Sequence, residues 1–197
     1  MKTAGRTWYD AGLIQLFGPG VGLNDVDVAP IWQADWSAQQ PDDIAPLWLD
    51  WLLEPGSLTA RLQRTGYAFS LQLLLQRNID LPEFLQQRWQ TRYGLVREVV
   101  LLLDQQPCIY AQSFLPDHTV AALQPLADLG TMPLGHYIFT QPDLQRSGIE
   151  LAPFDAGLQL RSVGLLPQLW GRRSYFTLSH HELLVQELYL PALAEFI

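Results

Sequence analysis

Two charged residues stand where a strand pattern makes charge expensive. Arg97 lies in Val96-Arg97-Glu98-Val99-Val100-Leu101-Leu102-Leu103, a run that is otherwise mostly apolar on both faces of an extended chain. A buried guanidinium without an anion is very costly. Successive strand residues point to opposite faces, so Glu98 is a poor partner for Arg97. An ion pair with another acid and the capture of an anionic ligand both remain open. Glu187, in Leu184-Val185-Gln186-Glu187-Leu188-Tyr189-Leu190, shares a face with Val185 and Tyr189. An interior carboxyl there needs a hydrogen-bond donor or must take up a proton. It can partner Arg97, Arg172 or Arg173, or hold a substrate hydroxyl, and the pattern does not choose. Arg172 and Arg173 open a strand in Trp170-Gly171-Arg172-Arg173-Ser174 and point to opposite faces, so at most one readily faces a given site.

Other chemistries find little support. His118, His136, His180 and His181 form no His-x-x-x-His or His-Glu-x-x-His pattern, so no zinc site is expected. There is no Gly-x-Ser-x-Gly elbow and no phosphate-binding glycine loop. Cys108 follows Pro107 in an apolar strand and reads as core rather than nucleophile. A reaction run by these residues proceeds without metal, covalent intermediate or nucleotide, so no cofactor is expected. That restriction favours lyases and isomerases whose substrates are already reactive.

Composition narrows the partners. The chain has 197 residues, 48% of them hydrophobic and 16% charged, enough for one domain with a sizeable core. The net charge of −8 argues against nucleic acid and anionic membranes, which need a field of Lys and Arg. Lys2 is the only lysine, so an anionic ligand must be met by arginines, whose planar fork suits a carboxylate. The single cysteine allows no internal disulfide and suits a reducing compartment. Asp10 and the Gly-Pro-Gly at 18–20 interrupt any signal peptide, and the longest aliphatic run, Val99 to Leu103, is too short to span a bilayer. A cytoplasmic monomer without membrane insertion is expected.

The elements that must position these residues follow from periodicity. Residues 1–43, broken by Pro and Gly, read as an N-terminal extension packed on a domain of residues 44–197. Ile44, Leu47, Trp48, Trp51 and Leu52 make a helical stripe that ends at Pro55-Gly56, and Ser57 caps a short helix ending at Gly66. The period then becomes two from Tyr67 to Gln76. A helix is expected from Asp80 to Trp89, and strands over 92–103 and 108–115 joined in a hairpin. A helix over 119–129 follows, then strands over 134–140, 148–152, 157–163, 172–178 and 183–190, with His180-His181 near the last turn. Early helices and later hairpins predict an α+β fold on an antiparallel sheet.

Five segments, in order, resemble the chorismate pyruvate-lyase family. They are LDWLLEPGSLTARLQRTG at 49–66, REVVLLLDQQP at 97–107, LGTMPLGHYIFT at 129–140, WGRRS at 170–174 and ELYLPA at 187–192. The resemblance implies a single antiparallel sheet of about six strands with helices on one face, and a buried site under helical flaps. It implies a cofactor-independent lyase that eliminates pyruvate from chorismate and leaves 4-hydroxybenzoate, the first step of ubiquinone biosynthesis. Arg97 takes the place of the arginine that grips the ring carboxylate, and Glu187 that of the carboxyl on the ring 4-hydroxyl. Leu58 stands where relatives have a flap residue, often Met, and Leu134 matches a lining position that acts partly through its backbone. Arg97 and Glu187 are expected on neighbouring strands, with Arg172 or Arg173 near the side-chain carboxylate. The chain departs from its relatives at Gln112 and His136, where a basic residue is common, and by an insertion within 153–169. The rival reading is a non-catalytic sensor of aromatic acids on the same fold. Such regulators carry a winged-helix domain, for which 43 preceding residues are too few.

Overall fold

Alternating apolar residues build a sheet, and short helices close over it. The structure, a computed structural model, describes Trp32, Ile44, residues 46–154 and residues 169–197. Helices α1 (Pro46–Leu52) and α2 (Leu58–Gln63) come first, then β1 (Phe69–Asp80), α3 (Glu83–Trp89), β2 (Tyr93–Leu103), β3 (Gln106–Pro116) and α4 (Asp117–Ala122). A 3-10 turn at Gln124–Leu126 leads to α5 (Leu134–Ile138). β4 (Gln145–Arg146), β5 (Glu150–Phe154), β6 (Leu169–Leu178) and β7 (His181–Tyr189) follow, with a last 3-10 turn at Pro191–Glu195.

The strands form one antiparallel sheet in the order β1-β2-β3-β7-β6-β4, and β5 also pairs β6. β4 pairs Phe176 and Thr177 while β5 pairs residues 169–173, so seven strands occupy six positions. The α+β antiparallel architecture is therefore as expected. Both long hairpins close through two residues with left-handed φ, Asp104 (45°) and Gln105 (66°), then Ser179 (49°) and His180 (65°). Primed two-residue turns of this kind match the twist of their strands.

The alternation read along β1 changes phase inside the strand. Leu71 and Leu73 pair Leu101 and Val99, but after a bulge Leu75 pairs Glu98 and Gln76 pairs Arg97. The extra residue turns the later side chains to the other face. The expected strand over 134–140 is instead helix α5. Leu134 and Ile138, four apart, lie together in a cluster with Leu95, Leu126, Phe176 and Leu183, while His136 is exposed. So short a run satisfies either period, and packing decided it. The expected helix over 119–129 breaks after Ala122, because Pro125 lacks an amide proton and disfavours helix before it. The expected strand over 157–163 lies outside the described residues.

Side-chain parity divides the core into two layers. On the face carrying Arg97, α1 and α2 pack over Val99, Leu101, Ile109 and Tyr189, while α4 and α5 cover the other end. On the opposite face α3 sets Leu85 against Val96, Phe114, Tyr175 and Leu184. Trp32, from the stretch read as an extension, lies with its ring 4.7 Å from the Arg173 guanidinium carbon. No described helix is long and apolar enough to cross a membrane.

Two positions test this packing. A Cβ on Gly94 would stand 2.4 Å from the Leu115 carbonyl oxygen and 2.8 Å from Leu81 Cδ2. Gly94→Ala is expected to lower stability by about 1–3 kcal/mol, read as a fall in the urea midpoint; an unchanged midpoint would contradict the β2–β3 register. Cys108 is buried, and burial pushes its thiol up to about 11 against an opposing bond from the Leu103 backbone. The folded chain thus holds a proton that an unfolded thiol, titrating near 9.0, would lose. Its contribution to stability is whole below that pH and is lost as pH rises toward 11. At pH 8 an aromatic disulfide reagent should label no thiol in the folded protein and one per chain in concentrated urea; prompt labelling without denaturant would refute the burial.

Candidate active site

A cavity of about 50 Å³ lies between the sheet and two flaps, the α1–α2 corner and α5. Its floor is set by register. One cross-strand row runs Arg97, Ser113, Val185, Ser174; the next runs Val99, Ala111, Glu187, Arg172. The small Ala111 and Ser113 sit in the middle strand and leave room above it. Leu58, Arg97, Leu134 and Glu187, the four residues singled out in the sequence, all line this one space. Arg97 and Glu187 are not on neighbouring strands, however. β3 lies between β2 and β7, which separates their backbones laterally by about 10 Å.

Arg97 is 2% exposed and donates through Nη2 to the carbonyls of Gly130 (2.9 Å) and Met132 (3.0 Å). Its buried Nε has no acceptor, and no acid pairs with it among the described residues. Burial pulls the guanidinium below its ordinary range. Glu98 points to the other face and accepts from Gln112 Nε2 at 3.0 Å. Gln112 therefore does not face the cavity, and His136 is exposed on α5, so neither departure from the family pattern touches the lining.

Glu187 has a partner, Arg172, whose Nε donates to Oε2 at 2.5 Å. Arg172 Nη1 also donates to the carbonyls of Glu54 (2.8 Å) and Leu52 (3.3 Å). Burial opposes the charge of Arg172, but Glu187, Tyr189 and Glu54 together outweigh it and raise its pKa. Arg173 faces away and pairs with Glu150 at 2.5 Å. The structure adds a third cavity guanidinium that periodicity did not reveal. Arg146, in the two-residue strand β4, donates to Ser174 Oγ (3.0 Å), Pro55 O (2.8 Å) and Glu54 O (3.1 Å). Burial lowers its pKa to about 10, and the nearby charge of Arg172 adds to the effect. A two-residue strand has no period to read, so only the charge itself could have drawn attention to it.

Charged groups in the lining are thus three guanidinia and one carboxylate. In a chain of net charge −8 this is a local surplus of two positive charges, complementary to a dianion. Among the described residues no group of three or more His, Cys, Asp or Glu could hold a metal ion.

The fold defines a class first. The backbone matches the effector domain of PhnF from Mycobacterium smegmatis with a TM-score of 0.51 and 15% identity, over 70% of this chain and 90% of that one. A gene product of Staphylococcus aureus subsp. aureus N315 matches with a TM-score of 0.52 and 11% identity, over 73% of this chain and 94% of that one. These likenesses show a shared fold and nothing of the chemistry. Sequence goes further: the chorismate lyase family model matches residues 31–195. A "Probable chorismate pyruvate-lyase" of Pseudoalteromonas translucida is 40% identical over 171 residues, covering 80% of this chain and 92% of that protein. The "Chorismate pyruvate-lyase" of Salmonella gallinarum is 35% identical over 154 residues, covering 76% and 86%. The chain belongs to the chorismate lyase family. The match begins at residue 31, within the stretch read as an extension.

Closure of the cavity depends on a close approach of the two flaps. A Cβ on Gly135, in α5, would stand 3.1 Å from Ser57 Oγ, the atom that caps α2 by accepting from Ala60 N. Gly135→Val should push the flaps apart. Amide exchange at Ala60 is expected to quicken about tenfold or more while the global urea midpoint moves little. Unaltered exchange at Ala60 would show that the flaps do not bear on each other there.

Proposed function

We infer that this protein is a chorismate pyruvate-lyase and that the cavity is its active site. The observation that carries the reading is the surplus of two guanidinium charges in a flap-covered cavity, because chorismate is a dianion built on one six-membered ring. Arg97 binds the ring carboxylate, with the backbone N–H of Leu134, a lining residue at the first position of α5, directed to the same group. Glu187, oriented by Arg172, accepts a hydrogen bond from the 4-hydroxyl. The ring lies over Ala111 and Ser113, and Leu58, Leu134 and Phe139 exclude water.

The reaction then needs little from the protein. The C3–O bond breaks, the hydrogen on C4 leaves as a proton, and the ring becomes aromatic with its 4-hydroxyl retained. Enolpyruvate takes a proton on its methylene carbon and becomes pyruvate. Aromaticity supplies the driving force; the cavity supplies orientation and fixed charge. One chain provides every group in this account, and a cytoplasmic monomer, consistent with the single thiol, belongs to the same proposal.

The direct test is to mix the purified protein with chorismate, without added metal, and quantify pyruvate by a coupled dehydrogenase and 4-hydroxybenzoate by chromatography. Equal amounts of both are expected. Release of 3-hydroxybenzoate, or binding of aromatic acids without pyruvate, would refute the assignment. Arg97→Met separates binding from folding. An apolar side chain of similar length removes an uncompensated buried charge, so the thermal midpoint should hold or rise, while kcat/KM falls by about 1,000-fold or more. A folded variant with near-wild-type turnover would remove Arg97 from the site.

A further inference from the structure

The lyase reading places one carboxylate of the substrate at Arg97 and leaves the second without a partner. The sequence pointed to Arg172 or Arg173 for it. Arg173 is on the wrong face, held by Glu150. Arg172 is committed to Glu187 and to the carbonyls of Leu52 and Glu54. Arg146 is the cavity arginine that remains. All three of its acceptors are neutral oxygens, it has no acid at ion-pair distance among the described residues, and its Nη2 donates to none of them.

Its position fits the substrate's geometry. Ser174, to which Arg146 donates, ends the row that begins at Arg97. Arg146 and Arg97 therefore close the floor from opposite ends, with the Glu187–Arg172 pair one row away and nearer Arg146. In chorismate the three-carbon side chain leaves from C3, next to the carbon bearing the hydroxyl. A ring held at C1 by Arg97 and at its hydroxyl by Glu187 carries that side chain to the Arg146 end. We propose that Arg146 receives the carboxylate of the departing three-carbon group. This rests on the lyase reading and deepens it. 4-Hydroxybenzoate has no such carboxylate, so Arg146 binds the substrate and the transition state but not the aromatic product.

Arg146 also supports the flap through Glu54 O and Pro55 O, so the test must separate recognition from structure. Two constants do so: kcat/KM for chorismate in steady state, and the Kd of 4-hydroxybenzoate by calorimetry. Arg146→Gln should lower kcat/KM about 100-fold or more and change the product's Kd by less than about threefold. Arg146→Lys keeps the charge without the fork and should recover part of the loss. Arg97→Met, by contrast, should weaken both. The proposal is overturned if Arg146→Gln lowers substrate turnover and product affinity by the same factor, which marks a structural strut, or if kcat/KM is unchanged. Should Arg146→Gln fail to fold, Arg146→Lys is read against the same two constants, with a smaller loss confined to chorismate expected and a shared loss overturning the proposal. A wild-type chain that forms no pyruvate would defeat the lyase reading before any variant is compared.

Discussion

Positive charge buried without an acid to balance it is the constraint on which this structure turns. Taking a guanidinium out of water costs several kcal/mol even after the surroundings relax. The chain meets that cost three ways in one cavity. Arg172 has Glu187. Arg97 has two loop carbonyls, from Gly130 and Met132. Arg146 has a hydroxyl and two carbonyls. Carbonyl dipoles satisfy donors without cancelling charge, so two of the three guanidinia keep an unspent attraction for anions. A site that must take up a dianion inside an acidic protein needs this arrangement, because acids placed beside these arginines would compete with the ligand.

The same bonds set the flap. Helix α1 ends with carbonyls that have no acceptor role inside the helix. Tyr189 donates to Trp51 O at 2.9 Å, Arg172 to Leu52 O and Glu54 O, and Arg146 to Glu54 O and Pro55 O. Residues 51–55 are thus tied to β7, β6 and β4 by side chains that line or border the cavity. Helices of six and five residues are not stable alone. α2 and α5 hold their form through Ser57, Pro133 and mutual packing, which places them at the low-stability end of the molecule.

Much of this was legible in the chain. Arg97 and Glu187 stood out because a period of two put them among apolar neighbours, and that same period separated Arg97 from Glu98 and Arg172 from Arg173. It did not give strand order, so β3 between β2 and β7 was invisible, although that spacing makes room for a ring. The bulge after Leu73 was hidden inside three consecutive leucines, which read equally well in either phase. Leu134 and Ile138 fit a strand or a helix, and only the packing of α5 against Phe176 and Leu183 decided between them. Arg146 was unreadable for a different reason: it comes to the cavity through tertiary structure, on a strand too short to have a pattern.

Binding alone asks no more than two opposed anchors. A lyase must also choose a conformer. Anchors at C1 and at the C4 hydroxyl define an axis through the ring and leave rotation about that axis free. Elimination requires the C3–O and C4–H bonds to stand away from the ring plane, where they overlap the diene, and rotation about the axis alters how the side chain meets the walls. A third anchor off the axis removes that freedom. Arg146, at the end of the Arg97 row, is placed to act off the axis, which makes the second carboxylate a handle for orientation as much as a source of affinity. Once the C3–O bond has broken, the aromatic acid keeps only the two axial anchors and the departing group keeps only the third. The grip that selects the reactive conformer is therefore divided between two products, and neither is held as the substrate was.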